Sequence, residues 1–302
     1  MRICWTMAIV WLLVGRAVFY AAEADSTAPP HNPAATAGET QIAAADVAWK
    51  MAVERAYGNA AVTPEAALAA LIGDALQVEV GRRENVAVAP EESRALAKHI
   101  NETSRAPEIL AKVKAAFGGD WAAYERLYLN PRILNEKLRG YYSRSAGIHA
   151  ARRAQIENAF RLAVSDKTFK EAATEGSVTA ITFECGGKAP ESPSELAQVL
   201  PTSQPPERDP LIAILEAMSA GEIYKNIVED DASFKVIRLA AKNGNKYTVE
   251  ALQVQKPPFE EWFQQRASTV SIIIHDRELK AAVQQKYAQV WWVRQISSSE
   301  TK

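Results

Sequence analysis

The 302-residue sequence predicts an α+β fold, and three observations carry that expectation. Apolar residues recur at helical spacing through most of 42–165, and an amphipathic pattern returns after 256. Between Val178 and Val254 the texture changes to β-branched and aromatic runs, two of them flanking Asn243-Gly244-Asn245, which signals a hairpin. Prolines and glycines fall between these runs and punctuate the elements.

Each element has its own signals. Asp46 is placed to cap a short helix through Val47, Trp49, Met51 and Val53. Thr63, Pro64 and Glu65 open the next helix as N-cap, first helical residue and acidic first turn. Leu68, Leu71, Ile72, Ala75 and Leu76 then share one face, and the pattern continues to about Arg83. Val86–Ala89 reads as a short extended piece. Pro90-Glu91-Glu92 and Pro107-Glu108 open two further helices, the second carrying Ile109, Leu110, Val113 and Phe117. Gly118-Gly119 stops it, and Asp120 caps a helix with Trp121, Tyr124, Leu127 and Tyr128. From Asn130-Pro131 a long helical stretch is expected to Val164, kinked at Gly140 and Gly147. A short helix after Asp166 ends at Gly176, and Val178–Phe183 is strand-like. Residues 186–210 are proline-rich loop. Leu211, Ile214, Leu215 and Met218 share a helical face, and strands follow at Phe234–Leu239 and Tyr247–Val254. After Pro257-Pro258 come a helix with Phe259, Trp262 and Phe263, a strand or buried turn at Ile272–Ile274, and a final helix capped by Asp276.

The termini are read separately. Arg2, the apolar run Met7–Val14 and Ala22-Glu23-Ala24 form a signal peptide over 1–24, which implies export to the periplasm. The alternative is a retained anchor, but the uninterrupted run is far shorter than the ~20 residues that span a bilayer. Residues 25–41 are Pro-, Ala- and Thr-rich and read as a disordered linker, and 297–302 as a disordered tail.

Composition excludes several classes. Lys and Arg number 35 against 36 Asp and Glu, so a basic nucleic-acid surface is not expected. The four histidines are far apart and form no metal-binding pair, so neither a metal nor a cofactor is implied. Cys185 alone remains after signal removal, and it reads as a small buried residue. The carboxylate pairs Glu91-Glu92 and Asp230-Asp231 read as a helix start and a turn.

Two stretches together resemble a known family. Residues 63–92, with Leu71, Ile72, Leu76, Val86, Val88, Pro90, Glu91 and Glu92, are similar to the N-terminal helical module of SurA- and PpiD-type periplasmic chaperones. LIAILEAMSAGEI at 211–223 and SFKVIRL at 233–239 resemble the closing half of a parvulin-type peptidyl-prolyl isomerase domain. The resemblance implies a helical module over 42–165, a reduced parvulin-like domain with an antiparallel sheet over 166–255, and a C-terminal segment, 256–296, packed on the helical module. The departures concern catalysis. The closing strand carries Lys235 where the family has histidine, no opening strand with histidine is present, and the glycine-rich element shrinks to Cys185-Gly186-Gly187. Twisting a prolyl amide needs a hydrogen-bond network that favours the twisted form, and a strongly hydrated ammonium is a poor substitute.

The expected function is therefore an exported holdase that binds unfolded or nascent envelope polypeptides. The peptide-binding candidates are Leu71, Ile72 and Leu76 in the helices, and Phe183, Met218 and Phe234 near the sheet. No catalytic residue is assigned, and no membrane insertion is expected after signal cleavage. The alternatives are an active prolyl isomerase and a non-catalytic adaptor that docks through its aromatic C-terminus, Trp291-Trp292. Oligomeric state is left open.

Overall fold

The computed structural model describes residues 33–104, 106–165, 167–186 and 210–297. The chain is α+β, with helices and two small antiparallel sheets. The expected signal peptide, residues 25–32 of the expected linker, nearly all of the proline-rich loop and residues 298–302 lie outside the described residues.

The first element corrects the linker reading. Pro33–Ala37 (β1) and Thr40–Ala43 (β2) form an antiparallel hairpin, with Ala35 and Ala37 fully buried. Alanine is a poor strand former, so local sequence gives no strand signal here. The strand is imposed by its partners. β1 lies between β2 and Ile272–Ile274 (β7), and packs under the long helix α2, Pro64–Arg83. The hairpin turn is tied to α2 by buried Glu79, whose Oε1 accepts from the backbone N–H of Glu39 and Thr40 and from the Thr40 hydroxyl at 3.2, 3.1 and 2.7 Å. Gly38 is required twice over. Its φ is +59°, and a Cβ there would come within 2.6 Å of the Glu79 carboxylate.

Helix α1 (Ala44–Ala56) starts three residues earlier than a cap at Asp46 implies. Asp46 sits in the first turn, where its carboxylate accepts from the Ala43 N–H at 3.0 Å and forms a two-pronged pair with Arg126 at 2.8 and 2.9 Å. Helices α2, α3 (Pro90–Thr103) and α4 (Pro107–Ala116) each have proline in the first turn, as expected. Glu92 of α3 reaches back to the Ala89 N–H and also binds Lys137, so the Glu91-Glu92 pair is the helix start it resembled. Gly118 and Gly119, with φ of +59° and +88°, turn the chain into α5 (Trp121–Tyr124), capped by Asp120.

Pro131 does not start a new helix. A π turn, Glu125–Leu129, joins α5 to α6 (Asn130–Arg144) in one continuous rod. Proline in a helix removes an N–H and crowds the carbonyl four residues earlier; the wider π turn relieves both. The rod ends at Arg144, and α7 (Ala150–Ala163) begins after His149. This corrects the single stretch expected from 130 to 164. It also moves the boundary between the two halves, because α7 packs on the sheet and not on the helices before it.

The second half is built on one sheet. Thr168 caps α8 (Phe169–Gly176), which leads into β3 (Thr179–Gly186). Helix α9 (Pro210–Ala217), β4 (Val228–Glu229), β5 (Ser233–Asn243) and β6 (Lys246–Gln255) complete it, in strand order β3-β6-β5-β4. The β5–β6 hairpin turns on Gly244 and Asn245, with φ of +59° at Gly244. Period-two alternation sends Phe234, Val236, Leu252 and Val254 against α7 and α8 on one face. Ile237, Leu239, Tyr247 and Val249 meet Ile212 and Leu215 of α9, and Met218 just after it, on the other.

The chain then returns to the helices. Helix α10 (Phe259–Ala267), β7, α11 (Arg277–Lys286, capped by Asp276) and a 3₁₀ turn (Trp291–Gln295) share one core with β1, β2, α2 and α6. Ser297, expected in a free tail, is held by its N–H on the Ile272 carbonyl at 2.9 Å. Leu68, Ile72, Leu76 and Val80 of α2 are fully buried in this core, each contributing ~1.5–3 kcal/mol.

Candidate functional site

Five of the six residues expected to bind peptide are core residues. Leu71, Ile72 and Leu76 are sealed beneath the N-terminal hairpin and the returning C-terminal segment. Met218 and Phe234 are buried as well, and Phe183 is half-buried on β3. The structure brings Phe183 and Met218 together on the α9 face, but Phe234 faces the opposite way. Strand alternation separates them, and a client cannot reach the five buried residues without opening a core.

Near the seam between the halves the polar groups are engaged with one another. Lys235 pairs with Asp230, whose carboxylate also accepts from the Ala232 and Ser233 N–H groups at 2.9 and 2.7 Å. Burial pushes Asp230 upward, but the Lys235 hydrogen bond and charge, with the turn N–H groups, hold it below the usual carboxylate range. Arg238 pairs with Glu250 and lies 4.7 Å from the Phe169 ring centre. His149 is buried, with Nε2 bonded to the Tyr142 carbonyl at 2.7 Å. None of these groups faces an open cavity with the spacing of an acid–base pair.

A partly exposed aromatic cluster lies elsewhere, at the end of the helical half. Phe117, at the end of α4, meets Trp49 at 6.0 Å and Tyr124 edge-on at 5.4 Å. Tyr124 stacks on Tyr128 at 5.2 Å and touches Trp121 at 5.6 Å, and Tyr128 shares a hydroxyl–hydroxyl hydrogen bond with Tyr57. The cluster is buried at its centre and open at both ends, where Tyr57 is 50% and Trp121 46% exposed. Local sequence explains the exposure. The two positive-φ glycines reverse the chain, so the first residue of α5, Trp121, faces outward.

A cleft of about 220 Å³ opens between Lys114, Phe117, Gly119, Asp120, Trp121 and Tyr124. That is below the ~300–1,000 Å³ of small-molecule pockets, and suits one inserted side chain. Lys114, held by Asn101 Oδ1 at 2.6 Å, and Asp120 place one charge of each sign on the rim. Burial raises the Tyr124 phenol to about 12, and burial with the Tyr57 hydrogen bond also raises Tyr128. The floor therefore stays neutral at physiological pH. Such a cleft can hold an apolar side chain between rings.

Comparison with protein-family models and with curated proteins gives no match. Among the described residues no group of histidine, cysteine and carboxylate side chains is placed to hold a metal, and no helix is long and apolar enough to cross a membrane. The C-terminal aromatics belong to the core. Trp292 is buried, and Trp291, half-buried, packs against Phe263 at 6.4 Å. Sequence marked Trp121, Tyr124 and Tyr128 only as helical residues and did not single out Tyr57. The Gly-Gly-Asp-Trp succession was the available signal, since it ends one helix and puts an aromatic in the first turn of the next.

Proposed function

We propose that this chain is an exported holdase-type chaperone that binds unfolded envelope polypeptides, organised like the SurA and PpiD type with a reduced parvulin-like sheet domain. The observation that carries the reading is the aromatic cleft. A side-chain-sized cleft between Phe117, Tyr124 and half-exposed Trp121, continuous with a ring cluster that ends at half-exposed Tyr57, is the kind of surface that takes apolar side chains from many sequences. The order of elements supports it: after the N-terminal hairpin come the helices, then a small antiparallel sheet, then a segment that returns to the helices.

Prolyl-isomerase catalysis is not part of the proposal. The apolar faces of the central strands β5 and β6 are packed by α7 and α8 on one side and by α9 on the other. Lys235, at the place of the family histidine, is the partner of Asp230.

The test is suppression of aggregation of a denatured client, followed by light scattering. The wild type is expected to suppress at several-fold molar excess. Trp121→Ala should need about tenfold more protein, the ~1.4 kcal/mol expected of an exposed aromatic anchor. No suppression by the wild type would overturn the reading. In a protease-coupled assay on a proline tetrapeptide the rate should equal the uncatalysed background.

A further inference from the structure

The seam between the helical half and the sheet half holds two buried basic side chains. Lys256 follows β6, where the chain leaves the sheet for α10. Its side chain is 1% exposed. All three of its N–H donors are used: the Ser143 carbonyl at 2.9 Å, Glu229 Oε1 at 2.9 Å and the Asp230 carbonyl at 2.8 Å. Ser143 belongs to α6 of the helical half, and Glu229 and Asp230 belong to the sheet half, so one ammonium joins the two. It also lies 4.9 Å from the Phe234 ring centre. The Tyr142 hydroxyl donates to the Pro257 carbonyl, one residue further on.

His149 lies in the same seam, 1% exposed, between Tyr142 at 4.7 Å and Phe234 at 6.2 Å. A carbonyl only accepts, so Nε2 carries a proton toward Tyr142. Nδ1 is buried with no hydrogen-bond partner among the described residues. The charged groups around it are Lys256 after β6, Glu229 on β4, and Arg153 on its own helix, which pairs with Glu229 at 3.3 Å.

We propose that this seam is an acid-released latch, in which protonation of His149 unseats the Lys256 pin and lets the sheet half part from the helical half. A second proton would set an imidazolium beside a buried ammonium and leave Nδ1–H facing no acceptor. Burial, reinforced by Lys256, holds His149 below its usual range, although the Tyr142 carbonyl and Glu229 favour the charged form. The sign follows. The open seam takes up its proton near the ordinary histidine value of ~6.5 and the closed seam only at lower pH, so acid below ~6.5 shifts the population toward opening. Above that value the latch is closed.

Backbone hydrogen exchange on the full chain tests this, with rates corrected for the intrinsic effect of pH. Between about pH 7.5 and about pH 5.5, exchange over residues 142–150 and 228–234 should rise about tenfold, while α2 stays protected. His149→Gln keeps a donor for the Tyr142 carbonyl and cannot charge, so it should abolish the rise. A rise that persists in His149→Gln, its absence in the wild type, or equal opening of α2 would overturn the latch. If that variant does not fold, the wild-type imidazole is titrated by NMR. A midpoint below ~6.5 that tracks seam exchange supports the latch, and an ordinary midpoint or unresponsive seam amides overturns it.

Discussion

At Asp74, burial lifts the carboxyl to about 6, with Lys50 at 3.9 Å drawing it part of the way back. A raised carboxyl costs the fold nothing while both states are protonated, below about pH 4. Stability is then lost as pH rises through about 6, and stays lost above it. Asp74 keeps a quarter of its side chain exposed, so Asp74→Asn should add only ~1 kcal/mol above pH 6, or ~2–4 °C in Tm. Below about pH 4 it should change nothing; thermal melts across this range check both arms. Asp46 is the opposite case, a buried carboxylate fully partnered by Arg126 and the Ala43 N–H. Asp46→Ala should cost ~2–3 kcal/mol in urea unfolding, because Arg126 is half exposed and regains water when it loses its partner. Caps at Asp120 and Asp276 were readable from sequence because a cap acts within three residues. The roles of Asp46 and Glu79 were not, since Arg126 and Thr40 lie 80 and 39 residues away.

Among the elements, the N-terminal hairpin and β7 show where local propensity fails. The β1 sequence, PAATA, has no strand character of its own, and β7 is only three residues long. Each is a strand because the other is there, with Ala35, Thr36 and Ala37 opposite Ile274, Ile273 and Ile272. Ile272→Asp should therefore destabilise the helical half by ~3–5 kcal/mol, through a charge buried without a partner. Thermal denaturation measures it, and an unchanged Tm would mean that the returning segment is not integral to that core. Helix periodicity was a safer guide, since α2 buries the face that its spacing marked. Periodicity could not assign α7, because an amphipathic helix shows that it covers something without showing what. Only tertiary packing, with Ile156 and Ala159 against Phe234 and Leu252, places it on the sheet.

Across the whole molecule, apolar surface is allocated unevenly. The core under α2 is closed over by the hairpin and the C-terminal segment, and both faces of the central strands β5 and β6 are covered by helices. The aromatic cluster between α1, α4 and α5 keeps its two ends open. The α+β class and the order of the halves were readable from pattern and punctuation. The binding surface was not, because hydrophobic spacing identifies faces that are buried, and a face left open looks the same in sequence. The proposed function thus moves from the face of α2 to Trp121 and its cleft. Site-specific photo-crosslinking to a denatured client tests that claim most directly, with a reactive group at position 121 and, as an exposed apolar control, at Val164, which is 55% exposed. The account predicts crosslinks from position 121 and few from 164. Equal crosslinking from both, or none from 121 while aggregation is still suppressed, would contradict it.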